Sequence, residues 1–115
     1  MKNTVKAIVK QPNKPAEIRL IKNTLKAFQE IVGGYIEVVQ LGDDWGNESD
    51  MIMVCNEEGL IDDVSEPNDS IAECYYGTVV FCQVDEAGEF CDLSQEQIVD
   101  LIYRDNFERS ALHAQ

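Results

Sequence analysis

Basic residues are missing from most of this chain of 115 residues. Between Ala27 and Tyr103 there is no lysine or arginine, although that stretch holds 19 of the 22 acidic residues. Seven of the nine basic residues lie in the first 26 positions, and the net charge is −13. Such a surface repels phosphate and attracts basic partners over a range that salt shortens. We therefore expect no direct binding of nucleic acid.

Histidine is almost absent, which removes the commonest catalytic base. The only one, His113, lies at the C-terminus. A serine or cysteine nucleophile needs a neighbouring base. The sequence also has no Gly-x-Ser-x-Gly elbow, phosphate-binding loop or dinucleotide fingerprint. We therefore predict a protein that is not an enzyme, with no catalytic residue and no cofactor.

Closely spaced cysteine pairs are missing as well. Cys55, Cys74, Cys82 and Cys91 are separated by 18, 7 and 8 residues. This spacing disfavours a structural zinc site and favours reduced thiols that pack as small hydrophobic residues. One alternative is a redox pair, because a symmetric turn at Asp85–Gly88 would place Cys82 opposite Cys91. A glycine bulge in that turn would shift the register by one residue and remove the pairing.

Long apolar runs do not occur. No stretch approaches the roughly 20 apolar residues of a membrane span, and residues 1–6 do not resemble a signal peptide. The 44% hydrophobic content is sufficient for a core, and the length suits one domain. We expect a single cytoplasmic domain over residues 1–115, with a flexible tail from about residue 107.

The pattern of apolar residues predicts strands and two helices. In the first strand, apolar residues alternate with Lys6 and Lys10, which predicts one solvent-exposed face. A turn containing two prolines leads to a partner strand at 17–20. Asn23 is the predicted N-cap of a helix that ends at Gly33-Gly34. Further strands are predicted at 35–41, 51–55, 60–61, 78–84 and 89–91.

A second helix closes the chain. Ser94 and Gln97 form a capping-box signature, and the helix is expected to end near Asn106. Together the elements predict an α+β fold, with a mixed, mostly antiparallel sheet of hairpins and two main helices packed on it.

Two acidic loops are the main candidates for contact with a partner. The spacing of the acidic residues within each loop does not match that of a calcium-binding loop, so we expect solvated loops without a metal. Trp45 lies in the first loop, and tryptophan is enriched at binding hot spots, although it can also serve as a lid on the core. The candidate interaction residues are Asp43, Asp44, Trp45, Glu48, Asp50, Asp62, Asp63, Glu66 and Asp69.

Several segments resemble the small phage, plasmid and Firmicutes family catalogued as domain of unknown function 3846. They are Asn23–Leu25, Ile31–Val38, Val54–Gly59, Pro67-Asn68, Tyr76–Val79, Gly88–Phe90 and Leu93-Ser94. The resemblance implies an accessory gene of a mobile element, and it brings no catalytic residue with it. In the family pattern a basic residue often follows Pro-Asn, where this chain has Asp69, so the resemblance does not support an anion site there.

These observations lead to two hypotheses about function. The first is an interaction protein that modulates a host protein with a basic surface, in its sharper form by presenting carboxylates in place of nucleic-acid phosphates. The second is a small-molecule or nucleotide-binding module with a pocket between sheet and helices. Its expected lining is Tyr35, Trp45, Tyr75 and Tyr76, with Lys22 or Lys26 meeting an anion. A homodimer, in which the basic first hairpin meets the acidic remainder of another copy, is a further expectation.

Overall fold

A six-stranded antiparallel sheet forms the centre of the molecule, with one helix packed on each face. The computed structural model describes residues 3–41, 50–59, 66–72 and 75–113, to which all counts refer. The strands are β1 (Thr4–Lys10), β2 (Glu17–Lys22), β3 (Ile36–Gln40), β4 (Met51–Asn56), β5 (Val79–Val84) and β6 (Phe90–Cys91). The helices are α1 (Leu25–Val32) and α2 (Gln95–His113), with a short 3-10 helix at Ser70–Ala72. The predicted α+β fold is confirmed, and every pairing between described strands is antiparallel.

The strand order separates the charges of the sequence. The order is β2-β1-β5-β4-β3, with β6 paired to the end of β5. The outer strands in the described part of the chain are therefore β2, from the basic N-terminal stretch, and β3, from the acidic remainder. Arg19 and Lys22 lie on β2, whereas Glu37 lies on β3. Although β2 also carries Glu17, its edge is net positive, whereas the β3 edge, which we call the acidic edge, is net negative.

Alternation along the central strand β5 divides the core in two. Val79 and Phe81 join the cluster that contains Leu101 of α2. Val80 joins the cluster that contains Phe28 of α1. Because successive strand residues point to opposite faces, the two helices cover opposite faces of the sheet. Among the described residues, no helix is both long enough and apolar enough to span a membrane.

The two ends of α1 lie close to their predicted positions, with one correction at the N-cap. The N-cap is Thr24, not the predicted Asn23, and its side chain accepts a hydrogen bond from the Ala27 N–H (3.2 Å). A threonine oxygen satisfies an N–H that otherwise has no partner within the helix. At the other end, the helix stops at the predicted Gly33-Gly34 pair, where Gly33 adopts a left-handed conformation with φ 84°.

Helix α2 begins as predicted but ends later. The capping box is present, since Gln97 N–H donates to Ser94 Oγ (3.1 Å) and Ser94 N–H donates to Gln97 Oε1 (2.8 Å). The predicted end near Asn106 is wrong, because the helix continues to His113. Arg109, in this extra length, contacts Asp69 across the domain at 3.3 Å. A long-range contact of this kind is not visible in the local pattern.

Candidate functional site

The three predicted interaction residues that the structure describes, Asp50, Glu66 and Asp69, do not form one cluster. Of the nine candidates, Asp43, Asp44, Trp45, Glu48, Asp62 and Asp63 lie outside the described residues. Asp50 and Glu66 are exposed, but they lie at opposite ends of the sheet. The Asp50 carbonyl accepts from Val84 at the end of β5, and the Glu66 carbonyl accepts from Gly77 just before β5 begins.

Asp69, which is half-buried, forms an ion pair with the buried Lys10. Its Oδ1 accepts from Lys10 Nζ (2.6 Å) and from Asn13 N–H (2.8 Å), and Oδ2 lies 3.3 Å from Arg109. Burial acts to raise the pKa of Asp69. The hydrogen bonds from Lys10 and Asn13, with the charges of Lys10 and Arg109, outweigh burial and hold the pKa below its usual value. Asp69 therefore connects three segments of the chain within this protein.

Neighbouring polar groups form further hydrogen bonds between the segments that Asp69 connects. Asn68 is buried and its Nδ2 donates to the carbonyls of Lys10 (3.1 Å) and Gly77 (2.7 Å). On α2, the buried Asp105 accepts from Ala16 N–H through Oδ2 (2.8 Å). These bonds attach the segment 66–77 and α2 to the turn between β1 and β2. The local pattern does not predict that Lys10 takes part, because its partner is 59 positions away.

The two cysteines proposed as a redox pair do not face each other. The loop between β5 and β6 has Gly88 at φ 81°, and the register pairs Cys91 with Gln83. This is the shifted register that a glycine bulge produces, so Cys82 lies on the opposite face from Cys91. Cys55, Cys82 and Cys91 are all thiols. Burial, with the nearby Cys91, raises the pKa of Cys82 to about 12, which suppresses the reactive thiolate.

A cleft opens where α1 ends, β3 begins and β4 turns. It has a volume of about 330 Å³. The described residues that line it are Gln29, Gly33, Gly34, Tyr35, Asn56 and Glu58. We call this the α1 cleft. Five of these six residues belong to Ile31–Val38 and Val54–Gly59, two of the segments that carry the resemblance described above.

Asn56 fixes the shape of the α1 cleft. Its Nδ2 donates to the Val32 carbonyl at the end of α1 (3.3 Å), and its Oδ1 accepts from Glu58 N–H (2.8 Å). The approach is so close that a Cβ on Gly34 would lie 3.0 Å from Asn56 Nδ2. A side chain on the second glycine of the Gly33-Gly34 pair would therefore require the Asn56 amide to shift by a few tenths of an ångström. The first glycine is favoured for its left-handed backbone.

The electrostatics of the α1 cleft favour a positive group. The C-terminal end of a helix carries partial negative charge, and the last turn of α1 has no basic residue to offset it. Glu58 lines the cleft and Glu57 is exposed beside it, while no lysine or arginine is among the described lining residues. Tyr35 is 70% exposed, which leaves its ring accessible. A ring face next to carboxylates is a suitable site for an ammonium or guanidinium group.

The aromatic pocket expected as an alternative is not assembled by the described residues. Tyr35 lines the α1 cleft, but Tyr75 packs against the α2-side core. Tyr76 forms a β-bridge with Pro67. Lys22 and Lys26 are exposed before and at the start of α1, at the opposite end of that helix from Tyr35. Trp45 lies outside the described residues. The described part of the chain also contains no group of three or more metal-ligating side chains.

Comparison with known proteins identifies the family but not an activity. The family model described as Domain of unknown function (DUF3846) matches residues 5–108, so the chain belongs to this family. No curated protein and no solved structure matches the chain. The match includes every described residue that lines the α1 cleft.

Proposed function

We propose that this member of the DUF3846 family is a non-enzymatic interaction protein that binds a basic surface on a partner protein. The α1 cleft receives a lysine or arginine side chain of that partner. The observation that carries the proposal is the combination of an exposed Tyr35 ring, the Glu58 carboxylate and the end of α1 around one opening.

The expected binding energies indicate that the α1 cleft holds one side chain of the partner and is only part of the interface. A charge near a helix end contributes about 0.3–1 kcal/mol, and an exposed cation–π contact contributes about 0.5–1 kcal/mol. An exposed ion pair contributes at most about 1 kcal/mol. One side chain is thus held by roughly 1–3 kcal/mol, and the partner must supply further contacts.

The net charge supports the same proposal at longer range. A charge of −13 accelerates the approach of a basic protein and disfavours acidic ones. Glu37, Glu57 and Glu58 are all exposed near the acidic edge of the sheet. In the sharper form of the proposal, such carboxylates occupy the positions of nucleic-acid phosphates in a basic groove. Binding of this kind weakens steeply with salt, as for nucleic acid itself.

Capture from a nuclease-treated bacterial lysate tests the proposal. The double variant Tyr35→Ala, Glu58→Gln alters the α1 cleft. Its matched control is Tyr103→Ala, Glu86→Gln, which removes an equally exposed tyrosine and one exposed carboxylate elsewhere. We expect the wild type and the control to retain a basic protein that salt releases and DNA displaces, and the cleft variant to retain much less.

Two outcomes contradict the proposal. Equal capture by the cleft variant and the control would remove the α1 cleft from the interaction. No captured protein, together with a raised melting temperature in the presence of nucleotides, would favour the small-molecule hypothesis instead.

A further inference from the structure

The outer strand β2 has an unpaired edge with apolar side chains. Among the described strands it pairs only with β1. Ile18 is 53% exposed and Leu20 is 64% exposed, although both stand on a strand of the main sheet. An exposed edge strand with aliphatic side chains is a template for pairing with another strand.

Hydrogen bonding shows which residues face outward. Asn23 N–H donates to the Asn3 carbonyl at 2.8 Å, so the odd-numbered residues of β2 point their backbone groups towards β1. By the alternation of an antiparallel ladder, Ile18, Leu20 and Lys22 then direct their N–H and C=O groups to the open edge. Pairing with another strand must use these residues.

We propose that β2 pairs with β2 of a second copy of this chain, in an antiparallel arrangement centred on Ile18. In this register, Ile18 of one copy lies opposite Ile18 of the other. Glu17 then lies opposite Arg19 of the second copy, and Arg19 lies opposite its Glu17. The two six-stranded sheets become one continuous sheet, with both copies of α2 on the same face.

Charge complementarity selects this register among the alternatives. Glu17 and Arg19 point to the same face, and within one copy they already form an ion pair at 2.6 Å. Pairing centred on Arg19 would bring two arginines together at about 4.5 Å between Cα atoms. Pairing centred on Leu20 would place Arg19 opposite the buried Ile21. Among the registers that pair residues of β2 with each other, only the one centred on Ile18 gives two opposite-charge pairs. Its ladder covers Glu17–Arg19, because Leu20 then lies opposite Ala16, which precedes β2.

The need for a closed assembly also favours pairing of β2 with β2 over pairing of β2 with β3. A contact between β2 and the acidic β3 of the next copy leaves open edges at both ends, so it extends without limit. The pairing of β2 with β2 uses the same surface twice and closes at two copies.

Sedimentation equilibrium of the full chain, with charge-reversal variants, tests the proposal. We expect the wild-type mass to approach that of a dimer between about 1 µM and 1 mM, the range for a small interface. Glu17→Arg and Arg19→Glu should each remain monomeric, because each places like charges opposite one another. The double variant Glu17→Arg, Arg19→Glu should recover the dimer.

Mixing the two single variants gives the sharpest result. Arginines at 17 and 19 of one variant then face glutamates at 17 and 19 of the other, so a heterodimer should form although each variant alone is monomeric. Circular dichroism confirms that both are folded. Hydrogen exchange at the Ile18 amide should slow at high concentration, as the open edge becomes paired.

Three outcomes would overturn the proposal. One is a wild type that is monomeric at 1 mM, and another is a mixture of the single variants that stays monomeric. The third uses Glu37→Arg, a reversal on the opposite edge that should leave the dimer intact. If it abolishes association instead, the contact joins the basic hairpin of one copy to the acidic edge of another.

Discussion

Lys10 and Asp69, 59 positions apart in the chain, form an ion pair with 2.6 Å between Nζ and Oδ1. The lysine side chain is completely buried. Its ammonium also donates to the carbonyls of Gln11 (2.8 Å) and Lys14 (2.7 Å), so three donors meet three acceptors. A buried charge is tolerated only when it is paired and hydrogen-bonded in this way.

Replacing Lys10 should therefore destabilise the domain strongly. Lys10→Met leaves the Asp69 carboxylate without its main partner, and we expect the free energy of unfolding to fall by about 3–5 kcal/mol. Urea denaturation measures this loss. As a matched control, Arg104→Met breaks the surface pair with Asp100 and should cost less than about 1 kcal/mol. Similar costs for the two variants would contradict the account of the buried pair.

Stability should also fall in acid through Asp69. Because the pKa of Asp69 is lower in the folded state than its usual value of about 3.9, the folded state favours the carboxylate. This contribution is present above the unfolded-state pKa and is lost as the pH falls through the folded-state pKa. The advantage of the wild type over Asp69→Asn in urea midpoints should therefore shrink from about pH 5 to about pH 2. A difference that stays constant over this range would contradict the assignment.

Local pattern predicted the strands better than it predicted the position of Lys10. Alternation places Lys6 and Lys10 on one face of β1, and Lys6 is indeed exposed. Lys10 is buried because the segment around Asp69 folds over the end of that face. The capping residues Gly33 and Ser94 were predictable because their partners lie within a few positions. Contacts between distant segments leave no periodic signal in a single sequence.

Gly34 and Asn56 should be energetically coupled. Gly34→Ala introduces a Cβ at 3.0 Å from Asn56 Nδ2, so the amide must shift, and we expect its two hydrogen bonds to weaken. We expect a loss of about 1–2 kcal/mol by urea denaturation. In the Asn56→Ala background there is no amide to displace, so the same substitution should cost less than about 0.5 kcal/mol.

The neighbouring glycine provides the control for this cycle. Gly33→Ala meets no atom within 4 Å, but it strains a backbone at φ 84°. Its cost, about 1 kcal/mol, should be the same with or without Asn56. If Gly34→Ala costs the same free energy with and without Asn56, then Asn56 is not the reason that position 34 requires glycine.

The buried cysteines should react slowly and remain unlinked. Burial raises the pKa of Cys55 to about 11, assisted by the charge of Glu37, and the pKa of Cys82 to about 12. At about pH 8, iodoacetamide should modify both at least about 100-fold more slowly in the native protein than in urea. Peptide mass spectrometry after mild oxidation should show no Cys82–Cys91 disulfide. Rapid formation of that disulfide would contradict the register of the last hairpin.

The α1 cleft was only partly predictable. The helix end predicted at Gly33-Gly34 is confirmed. The second segment, Asn56–Gly59, forms a turn in which the Gly59 N–H donates to the Asn56 carbonyl. That the two segments meet follows from β3 and β4 being paired, with Ile36 opposite Asn56. The feature of the sequence that indicates this close approach is the second glycine of the Gly33-Gly34 pair, because a single left-handed residue is enough to end a helix.

The most direct test of the α1 cleft is an NMR titration with N-acetyl-arginine amide. Its matched control is N-acetyl-citrulline amide, which has nearly the same shape and no charge. We expect the arginine compound to shift amide signals of Gly33, Gly34, Tyr35 and Glu58 in the wild type, and citrulline to shift them far less. Glu58→Gln and Tyr35→Ala should each weaken the arginine response by about three- to tenfold. Equal responses to the two compounds, or arginine shifts spread over all acidic surfaces, would contradict a cleft that receives a basic side chain.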